Sequence, residues 1–231
     1  MTNNTKNGTL FMVATPIGNL SDITLRALDT LKNVDAVFAE DTRVTSKLLA
    51  HFGISKPLFR YDEHSHGPAS IKITGMLREG KQIALTTDAG TPGIADPGSR
   101  LVAIIAEQLP DVSIIPIPGV SAIATLLSVS GMNTEQFTFV GYPPHKKGRK
   151  TFFEELKEIK TWPVVFYESP HRIEKALKSL VEVLGSERKV VVGRELSKLH
   201  EEIFRGILKD ALLRFMHEDK ARGEFVVAIG D

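Results

Sequence analysis

The chain has 231 residues and a net charge of +1, and 42% of its residues are hydrophobic and 25% charged. These proportions are typical of soluble globular proteins and exclude a disordered or fibrous chain. It contains no cysteine, which excludes a disulfide scaffold, a thiolate zinc site and a thiol nucleophile and favours a reducing compartment, so we expect a cytoplasmic protein. The apolar run at 10–14 is too short for a signal-peptide core or a membrane span. Because the net charge is near zero, affinity for nucleic acid requires a local basic patch.

Apolar runs rich in β-branched residues alternate with segments of helical spacing throughout the chain. This pattern predicts an α/β protein in which helices cross over a mostly parallel sheet. The strands predicted in the first half are 10–14, 36–39, 58–61, 83–87 and 113–116. We predict that Ser21 caps the first helix, that Asp22 lies in its first turn, and that Leu25, Leu28 and Leu31 follow at helical spacing.

In the second half, a helix of small apolar residues is predicted at 120–130 and ends at Gly131. We place the domain boundary near this helix, which gives two α/β domains, 1–118 and 119–231. The strands predicted beyond it are 137–141, 164–167, 190–193, 200–205 and 225–229, and a helix is predicted at 207–217. Since two strands follow each other without a helix between them, the second sheet is predicted to be mixed.

Three loops rich in glycine and proline directly follow predicted strands, at 15–22, 88–98 and 116–122. Ligands of open α/β sheets bind outside the carboxyl ends of the strands. Glycine permits a close approach of backbone and ligand, and proline stiffens the loop. Any single loop of this kind is equally explained as a tight turn, but three together favour a ligand site.

Two familiar nucleotide motifs are not matched. No G-x-G-x-x-G occurs with an acidic partner at the end of the next strand, which disfavours a nicotinamide cofactor. The segment 75–81 has the glycine and lysine spacing of a phosphate-binding loop, but Gln82 stands where Ser or Thr is required. Because this segment leads from a predicted helix into a strand, we interpret Gly80 as the C-terminal glycine of that helix.

Six segments together resemble the tetrapyrrole methylase superfamily and, more closely, the ribosomal RNA small subunit methyltransferase I family. They are VATPIGNLSD at 13–22, AEDTR at 39–43, DAGTPGIADPG at 88–98, PIPGVSA at 116–122, YESPHRI at 167–173 and RELSK at 194–198. The resemblance spans nearly the whole chain in order. It implies two α/β domains with S-adenosyl-L-methionine in the cleft between them, usually a homodimer, and methylation of the ribose 2′-hydroxyl of a cytidine in the decoding region.

The resemblance also implies which residues line the cofactor. Carried over by motif, they are Pro16, Ala89, Gly90, Thr91, Ile94, Asp96, Ser121 and Ala122, with Tyr167 and Leu196 on the adenosine side. The strand at 224–226 is a further candidate. No metal is expected, because the cluster at 63–66 (Glu-His-Ser-His) has no fixed helical spacing and the chain has no cysteine.

The expected chemistry is methyl transfer to a weak nucleophile. Placement of the two reacting atoms lowers the activation free energy by roughly 7 to 11 kcal/mol. A positioned base increases the rate about a hundredfold or more. The catalytic candidates lie beside the resembling motifs and are Glu168, His171 and Lys198, with Glu195 as a further acidic residue. The alternative for each of them is a solvated surface group.

A basic patch at 145–150 (His-Lys-Lys-Gly-Arg-Lys) follows the strand predicted at 137–141. Positive residues at a helix N-terminus oppose the helix dipole, so we expect Lys146, Lys147, Arg149 and Lys150 to contact RNA phosphates. The alternative is a solvated helix entrance. Further candidates for this surface are Asp41, Arg43, His64 and Arg172, although Arg43 and His64 equally suit dimer packing.

Two competing functions remain open from the sequence. A tetrapyrrole C-methylase or a diphthine synthase-like methylase shares the cofactor and the fold but methylates another acceptor. A non-catalytic RNA-binding module retains only a nucleoside pocket. The partners expected on the preferred interpretation are small-subunit ribosomal RNA, within the assembled or assembling subunit, and a second copy of the chain, without a membrane.

Overall fold

The computed structural model describes residues 8–216 and 222–231. The chain divides into two compact units, Met1–Ser121 and Ala122–Asp231. From the sequence we place the boundary after residue 118, and we retain this as a proposal for the domain limits. Within the described residues, no helix is long and apolar enough to cross a membrane.

The first unit is a parallel sheet with helices between its strands. Its strands are β1 (Thr9–Val13), β2 (Ala36–Ala39), β3 (Leu58–Arg60), β4 (Gln82–Thr86) and β5 (Ser113–Ile117). Its helices are α1 (Leu25–Asn33), α2 (Thr42–His51), α3 (His66–Arg78) and α4 (Gly98–Gln108). The strands pair in the order β3-β2-β4-β1-β5, and every pair is parallel. The predicted α/β class and parallel sheet are confirmed.

Apolar side chains bury both faces of this sheet, as a parallel sheet requires. All four residues of β2 are buried. Phe38 belongs to the cluster that includes Leu101 and Ile105 of α4, whereas Val37 belongs to the cluster that includes Ala27 and Leu31 of α1. Neighbouring residues of one strand point to opposite faces, so the continuous apolar run at 36–39 is explained by helices on both sides.

The start of α1 differs from the prediction. Residues Leu20–Asp22 form a 3₁₀ turn, and Asn19 rather than Ser21 caps it, with Oδ1 accepting from the backbone N of Ser21 at 3.0 Å. The chain then extends, and Thr24 caps α1 by accepting from the N of Ala27 at 3.1 Å. The prediction that Ser21 caps the helix was therefore wrong, because the extended residues after the turn delay the helix and leave Thr24 in the N-cap position.

The prediction that Gly80 ends a helix is confirmed. Helix α3 ends at Arg78, and Gly80 follows with a φ of +80°. The N of Lys81 donates to the O of Met76 at 3.1 Å, and the N of Gly80 donates to the O of Leu77 at 3.0 Å. These bonds close a glycine-dependent helix end, and β4 begins directly after it.

The second unit contains a mixed sheet, as predicted. Its strands are β6 (Thr138–Phe139), β7 (Val164–Glu168), β8 (Lys189–Arg194), β9 (Glu202–Ile207) and β10 (Phe225–Ile229). Its helices are α5 (Ala122–Ser128), α6 (Arg149–Glu155), α7 (Ile173–Leu184) and α8 (Leu208–Phe215). The order is β6-β7-β10-β8-β9, with β6 parallel to β7 and the other pairs antiparallel.

Three elements of the second unit are shorter than predicted. Helix α5 spans Ala122–Ser128 of the predicted 120–130. Strand β6 covers only Thr138–Phe139 of the predicted 137–141, and Gly141 leaves the extended conformation with a φ of +69°. Helix α8 ends at Phe215, and residue 217 of the predicted helix lies outside the described residues. The core of this unit includes Phe153, Phe166, Phe215 and Phe225, and the last two rings meet edge to face at 5.5 Å.

Candidate functional site

Three predicted loops of the first unit meet at one edge of its sheet, because they leave the adjacent strands β4, β1 and β5. Thr15 and Gly90 exchange two backbone hydrogen bonds of 2.9 and 3.0 Å. The Thr15 hydroxyl donates to the O of Thr87 at 3.1 Å, and the Thr91 hydroxyl donates to the O of Val120 at 3.2 Å. The loops therefore form one hydrogen-bonded wall.

Two glycines allow this close approach. Gly90 is buried and has a φ of +85°, a conformation that L side chains rarely adopt. A Cβ at Gly119 would lie 2.9 Å from the Cβ of Ala14, which is closer than such atoms approach. The wall thus requires glycine for backbone conformation at one position and for space at the other.

The loop after β4 is braced by Asp96. Its carboxylate accepts from the N of Gly93 at 2.8 and 2.9 Å and from the N of Gly98 at 2.7 Å. Ala95, although not glycine, has a φ of +63°. Ile94 is 48% exposed, and Ala89 is exposed as well. The carboxylate thus fixes the loop shape, while apolar side chains of the same loop are presented outward.

A fourth loop, from β2, is tied to the same edge. The hydroxyl of Thr87 donates to Glu40 Oε2 at 2.7 Å, and the N of Asp41 donates to Asp88 Oδ1 at 2.9 Å. Partial removal from water and the nearby carboxylates of Glu40 and Asp41 raise the pKa of Asp88. By contrast, the hydrogen bonds of Arg43 hold the pKa of Asp41 at about 2.

A buried ion cluster lies at the carboxyl end of β7 in the second unit. The Glu168 side chain is fully buried, and its Oε2 is 2.7 Å from Arg149 Nη2 while its Oε1 is 2.9 Å from Arg172 Nη2. Oε1 also accepts from the N of Ser169 at 2.8 Å. Glu168 is a catalytic candidate from the sequence, and the structure places it between two arginines rather than toward solvent. We name these three residues the Arg149–Glu168–Arg172 cluster.

Two residues of this unit are proposed for the adenosine side of the cofactor. Tyr167 lies on β7, and Leu196 lies in the loop after β8. Tyr167 is half-buried, and its ring centroid is 5.0 Å from that of Phe139 and 5.2 Å from that of Tyr142. Burial, with a further contribution from Tyr142, raises the pKa of Tyr167 to about 12, so the phenol is neutral at physiological pH. Leu196 is buried beside Gly193, in the space that a side chain there would need.

Lys198 lies in a charged network after β8. Its Nζ donates to Glu195 Oε1 at 2.8 Å and to Glu224 Oε2 at 2.9 Å. Partial burial lowers its pKa, but the hydrogen bonds to the two carboxylates outweigh this effect, and the net result is a raised pKa. Glu195 and Ser197 have φ values of +50° and +64°, so the loop backbone is strained here. Lys198 is held protonated.

The remaining predicted residues fall into two groups. His171 is exposed, as are His145, Lys146, Lys147 and Lys150 of the basic patch. Arg149 differs, since its side chain is only 14% exposed and is engaged by Glu168. The pair with Glu168 turns the Arg149 charge toward the protein interior, which speaks against the predicted phosphate contact of this residue.

The cofactor candidates divide between the two units. Pro16, Ala89, Gly90, Thr91, Ile94, Asp96 and Ser121 belong to the first unit, and Ala122, Tyr167 and Leu196 belong to the second. All three catalytic candidates are in the second unit. Among the described residues, no group of three or more His, Asp or Glu side chains is placed to hold a metal ion.

Comparison with known proteins identifies the family of the chain. Residues 9–212 match the model of the Tetrapyrrole (Corrin/Porphyrin) Methylases. The chain belongs to the tetrapyrrole methylase family. Within it, the chain belongs with curated proteins named Ribosomal RNA small subunit methyltransferase I.

Two of these relatives illustrate the similarity. The protein of Halalkalibacterium halodurans is 45% identical over 223 residues, which cover 96% of this chain and 75% of the relative. The protein of Thermotoga maritima is 41% identical over 222 residues, which cover 96% of this chain and 98% of the relative. The resemblance predicted from the six sequence segments is confirmed.

Solved structures show the same fold at low sequence identity. The uroporphyrin-III-C-methyltransferase of Thermus thermophilus has a TM-score of 0.68 and 17% identity, with 96% of this chain and 94% of that chain covered. Cobalt precorrin-4 methyltransferase has a TM-score of 0.65 and 18% identity, with coverage of 95% and 94%. As a tetrapyrrole methylase the chain is a methyltransferase, and the methyl donor of this family is S-adenosyl-L-methionine, as expected from the sequence.

Some features of this tetrapyrrole methylase escaped sequence reasoning. The residues alone did not single out the Arg149–Glu168–Arg172 cluster, because its members lie 19 and 4 positions apart. They also did not indicate that Glu40 and Asp88 join two loops. The segments 39–43 and 167–173, which contain Glu40, Glu168 and Arg172, are among those that resemble the family. Their presence indicated that these residues matter but not which residues they contact.

Proposed function

We propose that this chain uses S-adenosyl-L-methionine to methylate the ribose 2′-hydroxyl of a cytidine in the decoding region of small-subunit ribosomal RNA. The main support is 41 to 45% identity to proteins named Ribosomal RNA small subunit methyltransferase I over 96% of the chain. The solved relatives named as C-methyltransferases of tetrapyrroles are under 20% identical and support the fold alone. They therefore do not favour the alternative of a tetrapyrrole C-methylase.

The loop edge of the first unit fits the cofactor. Gly90 leaves a backbone cradle without a side chain, and the exposed Ala89 and Ile94 offer apolar contact beside it. Thr91 is fixed by its bond to Val120. We propose that these residues, together with Pro16 and Ser121, hold the methionine and ribose parts, with Asp96 bracing the loop.

Residues of the second unit are proposed for the adenosine side on the resemblance. Ala122 and Tyr167 supply partly exposed apolar surface, Leu196 is an apolar residue buried beside Gly193, and the neutral phenol of Tyr167 is a hydrogen-bond donor. When bound, S-adenosyl-L-methionine supplies a methyl group that is already activated by its sulfonium. The task of the protein is then mainly orientation of the acceptor oxygen.

The three catalytic candidates differ in their availability. Glu168 is buried between two arginines, and Lys198 is protonated and bonded to two carboxylates. His171 is exposed at the end of β7. We propose that His171 accepts the proton of the ribose hydroxyl, since its imidazole is exposed and an imidazole nitrogen can act as a general base, and that Glu168 and Lys198 act as positioning residues.

The decisive experiment is transfer of a labelled methyl group. Small ribosomal subunits from cells that lack this modification are incubated with the protein and labelled S-adenosyl-L-methionine, and the modified nucleotide is mapped. Label on a cytidine 2′-oxygen is expected, with none on subunits that already carry the methyl group. Cofactor binding without transfer to subunits or naked RNA would favour a non-catalytic module or another acceptor.

Two further expectations accompany this function. An enzyme that modifies ribosomal subunits works in the cytoplasm, where its substrate is found. We also propose a homodimer, and sedimentation of the purified protein at several concentrations tests that state.

A further inference from the structure

An exposed aromatic ring stands directly before the basic patch. Tyr142 is 55% exposed, and Lys146, Lys147 and Lys150 follow within the next eight residues, all of them exposed. A single exposed aromatic residue is common on protein surfaces and needs no explanation. Tyr142 differs from such residues because the backbone on both sides of it is held in place.

The segment that carries Tyr142 is fixed on both sides. Before it, Gly141 turns the chain with a φ of +69°, and its O accepts from the N of Tyr167 at 2.9 Å. After it come two prolines, which restrict the backbone. The Tyr142 ring also packs against the ring of Tyr167, with centroids 5.2 Å apart and a tilt of 50°.

The Arg149–Glu168–Arg172 cluster anchors the two prolines. Arg172 Nη1 donates to the O of Pro143 at 3.1 Å, and Arg149 Nη1 donates to the O of Pro144 at 3.2 Å. Both guanidinium groups are bound in turn by the buried carboxylate of Glu168. A buried ionic cluster thus holds the backbone immediately after an exposed ring, which keeps the ring in place before any ligand arrives.

We propose that Tyr142 is a stacking platform for an unpaired base of the RNA substrate, with the lysines that follow it contacting the adjacent phosphates. This inference rests on the proposed function. Proteins recognise unpaired RNA by stacking bases on aromatic rings and by binding the backbone with cations. A fixed ring loses little conformational freedom on stacking, which favours affinity. Tyr142 and the cluster behind it are therefore positioning residues for RNA.

The test uses two probes that differ only in their bases. One is an unstructured twelve-nucleotide oligocytidylate, and the other is an abasic ribose-phosphate chain of the same length. The parent protein is expected to bind oligocytidylate more tightly. Tyr142→Leu should weaken binding of oligocytidylate about tenfold or more and leave binding of the abasic chain unchanged, while Tyr142→Phe should keep most of the affinity.

Two controls separate stacking from a structural effect. Phe137 is also an exposed aromatic residue of this unit, and Phe137→Leu should change neither affinity. The dependence of binding on salt should be the same for Tyr142→Leu and the parent protein, since no charge is lost. Glu168→Gln should reduce the preference for oligocytidylate in a chain that still folds. Without the carboxylate, Arg149 and Arg172 hold the backbone of Pro143 and Pro144 less firmly.

Several outcomes overturn the proposal. Equal affinity of the parent protein for both probes, or no binding of either, excludes a base-stacking surface. An equal loss of affinity for both probes in Tyr142→Leu assigns the ring a structural role. If the parent protein still transfers methyl groups to small subunits in these cases, the stacking inference alone fails, whereas absence of transfer contradicts the proposed function.

Discussion

The sheet edges that carry the candidate residues are built differently in the two units. In the first unit the loops after β1, β4 and β5 are joined by uncharged groups, namely backbone and threonine-hydroxyl hydrogen bonds and close contacts at glycines, as between Thr15 and Gly90. In the second unit the end of β7 is organised by the buried charges of the Arg149–Glu168–Arg172 cluster. The structure of the first edge depends on the backbone conformation and on the space left at its glycines. The stability of the second edge depends on the presence of every charged partner.

The largest effect on stability is expected from Glu168→Gln. Removing the carboxylate leaves Arg149 and Arg172 mostly buried without their anionic partner, and such a loss typically costs about 3 to 5 kcal/mol. Urea unfolding should show a clearly lower midpoint for the second unit. Glu174→Gln is the matched control, because Glu174 pairs with Lys178 on an exposed helix surface, where a pair contributes at most about 0.5 kcal/mol. Equal midpoints for both variants would contradict a buried ionic cluster.

Gly90→Val tests the shape of the first edge. A β-branched side chain at a φ of +85° is strained by about 1 to 3 kcal/mol, so the loop should shift and affinity for S-adenosyl-L-methionine should fall about tenfold or more in calorimetry. Gly53→Val serves as the control, because Gly53 has a φ of +64° with open space around it. It should show similar destabilisation with normal cofactor affinity. Normal affinity in a folded Gly90→Val variant would refute the assignment of the wall.

Replacing Lys146, Lys147 and Lys150 with glutamine tests the exposed charges of the second edge. Arg149 is left intact because its charge holds Glu168. If each lysine contacts one phosphate, the slope of log affinity for RNA against log salt should decrease by about 2 to 3, with cofactor affinity unchanged. The same replacement at Lys32, Lys47 and Lys209, which are exposed elsewhere, should leave the slope nearly unaltered. An unchanged slope in the first variant assigns the patch to a solvated helix entrance.

The smallest effect is expected from Asp41→Asn at the first edge. The pKa of Asp41 is about 2, below the value of about 3.9 in an unfolded chain. Its charge therefore stabilises the fold above about pH 4, and this contribution disappears as the pH falls through 4 to 2. Because the pair with Arg43 is exposed, acid unfolding should change only slightly in the variant. Asp41 caps α2 by accepting from the N of Arg43 at 2.8 Å. Asn retains this capping function, so a large shift at neutral pH would contradict a weak surface pair.

Much of the fold could be predicted because its signals are local. The continuous apolar run at 36–39 predicted β2, and the succession of two strands after residue 189 predicted the mixed sheet. The cap of α1 was missed because Ser21 and Thr24 are both competent caps. The 3₁₀ turn at Leu20–Asp22 decides which of them caps the helix. The identity of the two residues alone therefore does not predict the cap.

The sequence by itself determined the α/β class, the glycine and proline loops and the family, since these depend on periodicity, on backbone restrictions and on ordered motifs. Only the tertiary structure decided the use of the charged residues. Glu168, His171 and Lys198 are equally plausible as acids or bases in a sequence, yet the fold buries the first between arginines, exposes the second and pairs the third with carboxylates. The reason is physical: the state of a charge is set by its exposure to water and by its partners, and these partners come from distant positions in the chain.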